Sequence, residues 1–298
     1  MNSNEPIVTI RGLSKTFQQT VALSAVDMDI YPGRIIGLMG PNGSGKSTLI
    51  RHMIGLHLPS RGSCTTFGCD AATLGAKEFS HIGYVHQEGA LIDWMTVSQL
   101  IRYVAAYHAS WNIDIEERYI RDFNIRLDAR VGTLSPGQRQ KLAILLAIGH
   151  EPEFLILDEP ATALDPIARA RFLDLLMGIV QQEGKTILIS SHILSDVEKV
   201  IDHVVIMKDG CIVTDQTFDD LKEKYLRVRL TSLGANLPET LPFDNVLACV
   251  RNNSQALLTM AGPDPGNIQQ LAEAMNCAAD IQRLPLENIY QIVLGTLT

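Results

Sequence analysis

The stretch Gly40-Pro41-Asn42-Gly43-Ser44-Gly45-Lys46-Ser47 decides the fold of this chain. It satisfies the pattern GxxxxGK[ST], follows a short apolar run from Arg34 to Met39, and opens a helical pattern from Thr48 to about Leu56. Strand, glycine-rich loop and helix, in that order, make an α/β phosphate-binding unit. The glycines let the backbone wrap closely around phosphate oxygens, and the helix start aims N–H groups and its dipole at them. Gly40, Pro41, Asn42, Gly43, Ser44, Gly45, Lys46, Ser47 and Thr48 are therefore expected to cradle a nucleotide's phosphates. Lys46 is expected to reach the β and γ phosphates from a solvent-accessible position, and the Ser47 hydroxyl to coordinate Mg²⁺.

Upstream of this loop, Ile7 to Ile10 and Val21 to Ile30 alternate apolar and polar residues, as strands of an antiparallel sheet do. Downstream, from about Glu88 to His150, apolar positions recur at helical spacing through Val97, Ile101, Val104 and Ala105, which predicts an inserted helical subdomain. Phe154 to Leu157 and Thr186 to Ile189 are compact β-rich runs around a helix near Ile167 to Gln182, so a parallel sheet resumes. Near Lys224 the composition shifts. The ATPase-type domain is read as 1–224 and a small α/β appendix as 225–298, with Gly234 to Pro242 as a loop.

Two further segments carry chemistry. Phe154-Leu155-Ile156-Leu157-Asp158-Glu159 is an apolar strand delivering two adjacent carboxylates at its C-terminal end, where open α/β sheets bind ligands. Successive residues there point different ways, so Asp158 is expected to hold Mg²⁺ through water and Glu159 to orient and deprotonate the attacking water. In Leu134-Ser135-Pro136-Gly137-Gln138, Ser135 is placed as an N-cap and Pro136 at the first helical position of a helix from Arg139 to Gly149. That helix start is either a second anion site, serving another chain's nucleotide, or an ordinary capped helix.

Taken together, Gly40 to Ser47, Gln87, Leu134 to Gln138, Phe154 to Glu159, Ala163-Leu164-Asp165 and His192 resemble, in order and spacing, the nucleotide-binding subunit of ABC transporters, over about Ile7 to Leu221. The resemblance implies a P-loop NTPase core of ABC type with an antiparallel β-subdomain and a helical subdomain. It implies that Gln87 coordinates Mg²⁺ and links the site to a membrane subunit, that His192 touches the γ-phosphate, and that Phe17 stacks on adenine; the alternative for Phe17 is a sheet core residue. It implies also that Ser135, Gly137, Gln138 and Asp165 act on the nucleotide of an opposite subunit. Pro136 departs from the family's usual glycine and cannot donate a backbone hydrogen bond, while Ser135 and Gly137 are retained. The stretch Tyr107 to Asn112 with Trp111, and Ser190-Ser191-His192-Ile193-Leu194-Ser195-Asp196, resemble the YtrB-like exporter branch; physically, Trp111 reads as a core aromatic before a partner contact. Pro285-Leu286-Glu287-Asn288-Ile289-Tyr290 resembles the helix ending the C-terminal domain of such subunits.

Composition bounds these readings. The chain has 298 residues, 46% hydrophobic, ample for buried cores. Its net charge of −8 argues against a nucleic-acid partner. No apolar run reaches the roughly 18 to 20 residues of a membrane span, and the start lacks a secretory pattern, so the expected place is cytoplasmic, peripheral on the inner or plasma membrane through a separate permease. Five cysteines without a CxxC pair read as reduced thiols. The leading function is an ATP-hydrolysing subunit that closes as a homodimer or heterodimer around ATP and powers a membrane subunit, in export. A non-catalytic ATP-sensing subunit is weighed against it, but such chains lose the acid or the histidine, and both Glu159 and His192 are present. A soluble ABC ATPase acting on ribosomes or DNA lacks support from charge or a long coiled coil.

Overall fold

The computed structural model describes residues 5–87, 91–180, 185–234, 236–262 and 264–296. In chain order these form β1 (Val8–Phe17), β2 (Thr20–Ile30), β3 (Ile35–Met39), α1 (Lys46–Met53), β4 (Arg61–Thr66), β5 (Cys69–Asp70), α2 (Ala76–Phe79) and β6 (Ile82–Val85). Then come α3 (Val97–Ala105), α4 (Ile113–Asp122), α5 (Pro136–Ile148), β7 (Phe154–Asp158), α6 (Pro166–Val180), β8 (Thr186–Ser190), α7 (Leu194–Val197), β9 (His203–Lys208) and β10 (Cys211–Thr217). The chain ends with α8 (Phe218–Glu223), β11 (Tyr225–Ser232), β12 (Val246–Arg251), β13 (Gln255–Ala261), α9 (Pro265–Ala274), β14 (Cys277–Arg283) and α10 (Leu286–Leu294). Two compact units divide between Asp215 and Gln216, nine residues before the boundary expected at 224.

In the first unit, β1 and β2 pair antiparallel and alternate as read: Val8, Ile10 and Leu13 of one, with Leu23, Val26, Met28 and Ile30 of the other, are buried. This sheet has the order β2-β1-β4-β5. The second sheet runs β10-β9-β3-β8-β7-β6, with β3, β6, β7, β8 and β9 parallel. Every residue of β3, β7 and β8 is buried, because a parallel sheet is covered on both faces. That is why their sequences read as unbroken apolar runs.

Helix α1 has eight residues, too few to persist alone in water. It is held by Leu49, Ile50 and Met53, all fully buried in a core that joins both sheets through Leu13, Leu23, Ile36, Ile156 and Leu188. Each such side chain contributes about 1.5–3 kcal/mol of burial, so tertiary packing, not helix propensity, fixes where the start of α1 points. No helix among the described residues is long and apolar enough to cross a membrane.

Between β6 and β7 the chain leaves the sheet for α3, α4 and α5. Each is capped from its own sequence: Thr96 with Gln99, Asn112, and Ser135 with Gln138. Trp111 donates from Nε1 to Glu116 at 2.6 Å and packs on Gly149, where a Cβ would come within 2.3 Å of the indole. It belongs to the packing of this insert.

The second unit is a four-stranded antiparallel sheet, β12-β13-β11-β14, with α9 against β14. Val228, Leu230, Leu258 and Ile268 form its core. The segment expected to be a plain loop contributes to that core too, through buried Leu237. Its backbone stays irregular, yet Leu237 N donates to Asn253 O at 2.7 Å, which ties it down.

Candidate functional site

The phosphate loop leaves β3 at Met39 and returns as α1 at Lys46. Gly45 turns it with φ +103°, and a Cβ there would stand 2.6 Å from Ala22 O. At Gly40 a Cβ would meet Met207 O and Ser44 Oγ at 2.5 Å each, so close approach of neighbouring backbone explains that glycine as well. Gly210 N donates to Ser44 O at 3.1 Å, clamping the loop to the β9–β10 turn. Pro41, Asn42 and Gly43 are exposed at its tip, while Ser47 and Thr48 are half-buried on the first turn of α1.

Lys46 corrects the sequence reading. It is only 7% exposed, and its Nζ donates to Gly40 O at 2.8 Å and Pro41 O at 3.2 Å. The loop folds over its own lysine, giving the ammonium carbonyl partners in place of solvent. Burial lowers the pKa of this ammonium, against the raising effect of Glu159 and then Asp158.

At the end of β7, Asp158 is fully buried; Ser190 Oγ donates to its Oδ1 at 2.7 Å, and Oδ2 has no hydrogen-bond partner among the described residues. Glu159 has φ +54°, a left-handed conformation uncommon for a non-glycine residue and typical of functional turns. Its N–H donates to Ser190 Oγ at 2.9 Å. Its Oε2 lies 2.6 Å from His192 Nδ1 and 3.4 Å from the Thr162 hydroxyl. The carboxylate is buried and the imidazole is 53% exposed, so the pair is anchored at one end and open at the other. Thr162 is not among the candidate residues of the sequence reading, and Ser190 is quoted there only within the run that ends at Asp196, yet both hydrogen-bond to these carboxylate-bearing residues. Ser190 was findable from the parallel pairing, since it stands opposite Asp158 in the register.

The oxygen donors fit a hard divalent cation: an unpartnered, buried carboxylate oxygen on Asp158 and the Ser47 hydroxyl at the helix start. Gln87 lies beyond the end of β6, exposed, as Glu159 lies beyond β7; Val85 and Leu157 stand opposite one another, so both follow the same sheet edge. The start expected for the helical subdomain, at about residue 88, lies outside the described residues, as do 89 and 90.

Ser135 Oγ accepts from Gln138 N at 3.3 Å, and Gln138 Oε1 accepts from Ser135 N at 2.9 Å, a reciprocal cap with Pro136 at the first helical position. Gly137 approaches Ala163 so closely that a Cβ would lie 2.7 Å from Ala163 O. Asp165 accepts from Ala168 N at 2.9 Å and Ile167 N at 3.1 Å, which holds its carboxyl below the usual range, with help from Lys141. These two segments are thus fastened together. Among the described residues, none of the hydrogen bonds or ion pairs of Ser135, Gly137, Gln138 and Asp165 reaches Gly40 to Thr48 of the same chain. Phe17 ends β1 with its ring 41% exposed, edge-on to His57 at 5.3 Å and under Lys15 Nζ at 4.9 Å. It is not a sheet core residue.

Comparison with known proteins places this geometry in a family. The family described as ABC transporter matches residues 23–162. The ABC transporter ATP-binding protein YdbJ of Bacillus subtilis is 35% identical over 225 residues, 74% of this chain and 73% of that protein. The methionine import ATP-binding protein MetN of Chlamydia pneumoniae is 33% identical over 231 residues, 73% of this chain and 67% of that protein. A solved ATP-binding subunit of an ABC transporter superposes with a TM-score of 0.66 at 29% identity, covering 72% of this chain and 92% of its own. The chain belongs to the ABC transporter ATP-binding proteins: it has the ABC-type P-loop ATPase fold and is an ATPase subunit of a transporter.

Proposed function

We propose that this chain binds Mg·ATP between its Gly40 to Thr48 loop and the Ser135 to Gln138 helix start of a second cassette, and hydrolyses it to drive export through a separate membrane permease. The observation that carries the chemistry is the 2.6 Å Glu159–His192 pair beside buried Asp158. Glu159 accepts the proton of the attacking water, a general-base contribution of about 10²–10⁴. A carboxylate can only accept, so Nδ1 of His192 carries a hydrogen, and Nε2 can donate to the γ-phosphoryl group only where it carries one as well. Lys46 exchanges its loop carbonyls for phosphate oxygens, and the N–H groups opening α1 face the same anion. Ser47, Asp158 and Gln87 would hold Mg²⁺, which would supply positive charge to offset that of the phosphates. Phe17, partly exposed at the end of β1, would stack on adenine.

A second chain is supported by the absence, among the described residues, of any hydrogen bond or ion pair from Ser135, Gly137, Gln138 and Asp165 to the chain's own loop. Homodimer and heterodimer are separated by whether the purified chain pairs with itself. For the permease, the supporting feature is a cleft of about 790 Å³ between α4 and α6, lined by apolar side chains such as Ile115 and Phe123 together with charged ones such as Arg118 and Arg171, with the buried Tyr119 hydroxyl unpartnered among the described residues. Such a contact puts the chain on the cytoplasmic face of the membrane. Export rests on the Ser190 to Asp196 run; the methionine importer among the relatives is the opposing comparison.

The test is Glu159→Gln with ATP in size exclusion, together with capture of the chain from membranes followed by mass spectrometry. A dimer and a co-purified membrane protein are expected. A mutant that stays monomeric at saturating ATP sinks the shared site. The C-terminal unit, read as 225–298, is proposed to tune this closure. A chain ending at Lys224 should bind ATP normally and change its rate of dimerisation or hydrolysis; equal rates per folded subunit would leave the unit as a passive cap.

A further inference from the structure

Gln87 and Ser47 lie on different elements, and nothing in the phosphate loop itself fixes one relative to the other. The residues just behind them are joined. Arg51 follows Ser47 by one helical turn on the same face of α1, and His86 precedes Gln87. Arg51 Nη2 lies 3.2 Å from His86 Nε2. An arginine can only donate, so His86 Nε2 is the acceptor and the ring hydrogen sits on Nδ1. The ring of His86 is also braced edge-on by Tyr84, at 5.9 Å and 88° between planes. Tyr84 is the penultimate residue of β6 and stands opposite Ile156 of β7, so the brace leads toward the strand that carries Asp158.

We infer that Arg51 and His86 are positioning residues that set the distance between Ser47 and Gln87, so that both can serve one Mg²⁺. This rests on the metal site proposed above. An arginine near the end of a helix has a plainer use, offsetting the carbonyl end of the helix dipole. That use would affect folding stability and leave the metal requirement unchanged, which makes the two roles separable.

The experiment uses the full chain carrying Glu159→Gln, so that no turnover intervenes, and reads the Mg²⁺ concentration giving half-maximal ATP-driven dimerisation. Arg51→Met and His86→Phe, which keeps the ring contact but lacks the acceptor, should each raise that concentration about tenfold, the lower end of what loss of a ligand-supporting contact costs. Binding of a fluorescent ATP analogue in EDTA should stay within about twofold of the parent. His86→Gln, which restores an acceptor, should recover most of the shift. Ser47→Ala serves as the control for the site: it must raise the Mg²⁺ requirement by itself. If Ser47→Ala raises it while Arg51→Met and His86→Phe do not, the positioning role is overturned. If Ser47→Ala leaves it unchanged, the metal-site reading falls, and the inference with it. If Arg51→Met fails to fold, the His86→Phe and His86→Gln pair decides alone.

Discussion

His192 Nδ1 lies 2.6 Å from Glu159 Oε2, joining residues that are 33 positions apart in sequence. On the proposed mechanism the general base Glu159 and the histidine that orients it form one unit, and mutations within one unit are not additive. Glu159→Gln should lower phosphate release at least about a hundredfold. His192→Ala should also lower it, by removing the group that aims the carboxylate. The double variant should be no slower than Glu159→Gln alone within about threefold. Steady-state phosphate release decides, and multiplied losses would break the unit.

Lys46 is buried and bound to Gly40 O and Pro41 O, so its removal acts on the fold as well as on the ligand. Lys46→Ala should weaken ATP binding by more than about tenfold, through loss of the charge facing the phosphates. It should also destabilise the chain by roughly 1–3 kcal/mol, since two loop carbonyls lose a charged donor. Calorimetric binding and urea unfolding measure the two effects. Unchanged affinity in a folded variant would contradict the site.

Gly45 and Gly43 separate two reasons for a glycine. Both have positive φ, +103° and +81°, but a Cβ on Gly45 meets Ala22 O at 2.6 Å whereas one on Gly43 meets nothing within 4 Å. Gly43→Ala should cost about 1 kcal/mol of backbone strain. Gly45→Ala adds the collision and should cost clearly more, about 2–4 kcal/mol. Equal urea midpoints for the two variants would show that the β2 backbone yields freely.

His150 gives stability a pH dependence. Its ring is buried, stacked on His108 at 3.8 Å, and its pKa is lowered from 6.5 to about 4 by burial first and the neighbouring His108 second. The unfolded chain therefore binds a proton between those values that the folded chain refuses. The contribution is complete above about pH 6.5 and is lost as pH falls toward 4, with a total of roughly 2–3 kcal/mol. Urea unfolding from pH 8 to 5 should show a steeper loss in the wild type than in His150→Gln. Parallel curves would remove His150 as the cause.

The phosphate loop and the carboxylate strand were legible because each is a local pattern. GxxxxGK[ST] needs no distant residue to define it, and β7 is apolar from Phe154 to Leu157 because both faces are covered, so the acids at its end stand out. Boundaries were less so. The sequence pattern places the helical stretch of α1 from Thr48, whereas the helix begins at Lys46; for α5 the expected cap at Ser135 and first helical position at Pro136 are the ones found. The start of α1 is set by Gly45 in a left-handed conformation, which the pattern does not reveal, whereas the start of α5 is legible in Ser135 and Pro136 because a capping residue and a first-turn proline are local signals. Leu237 lies in the expected Gly234 to Pro242 loop, but its burial against the second sheet is not legible from the turn residues that mark the loop.

By itself the sequence determined the chemistry carried by each segment: a loop that must bind phosphate, a strand that must deliver two acids, a helix whose start must be capped. Those follow from backbone freedom, period and side-chain type, all of which are properties of neighbouring residues. Only the tertiary structure decided which of these groups face one another. Ser190 between Asp158 and Glu159, Thr162 and His192 on the same carboxylate, Arg51 against His86 and the inward curl of Lys46 all depend on strand order and on the depth at which α1 is buried. Hydrogen bonds act over about 3 Å. Strand order, which brings distant segments within that range, is fixed by burial of the whole apolar core.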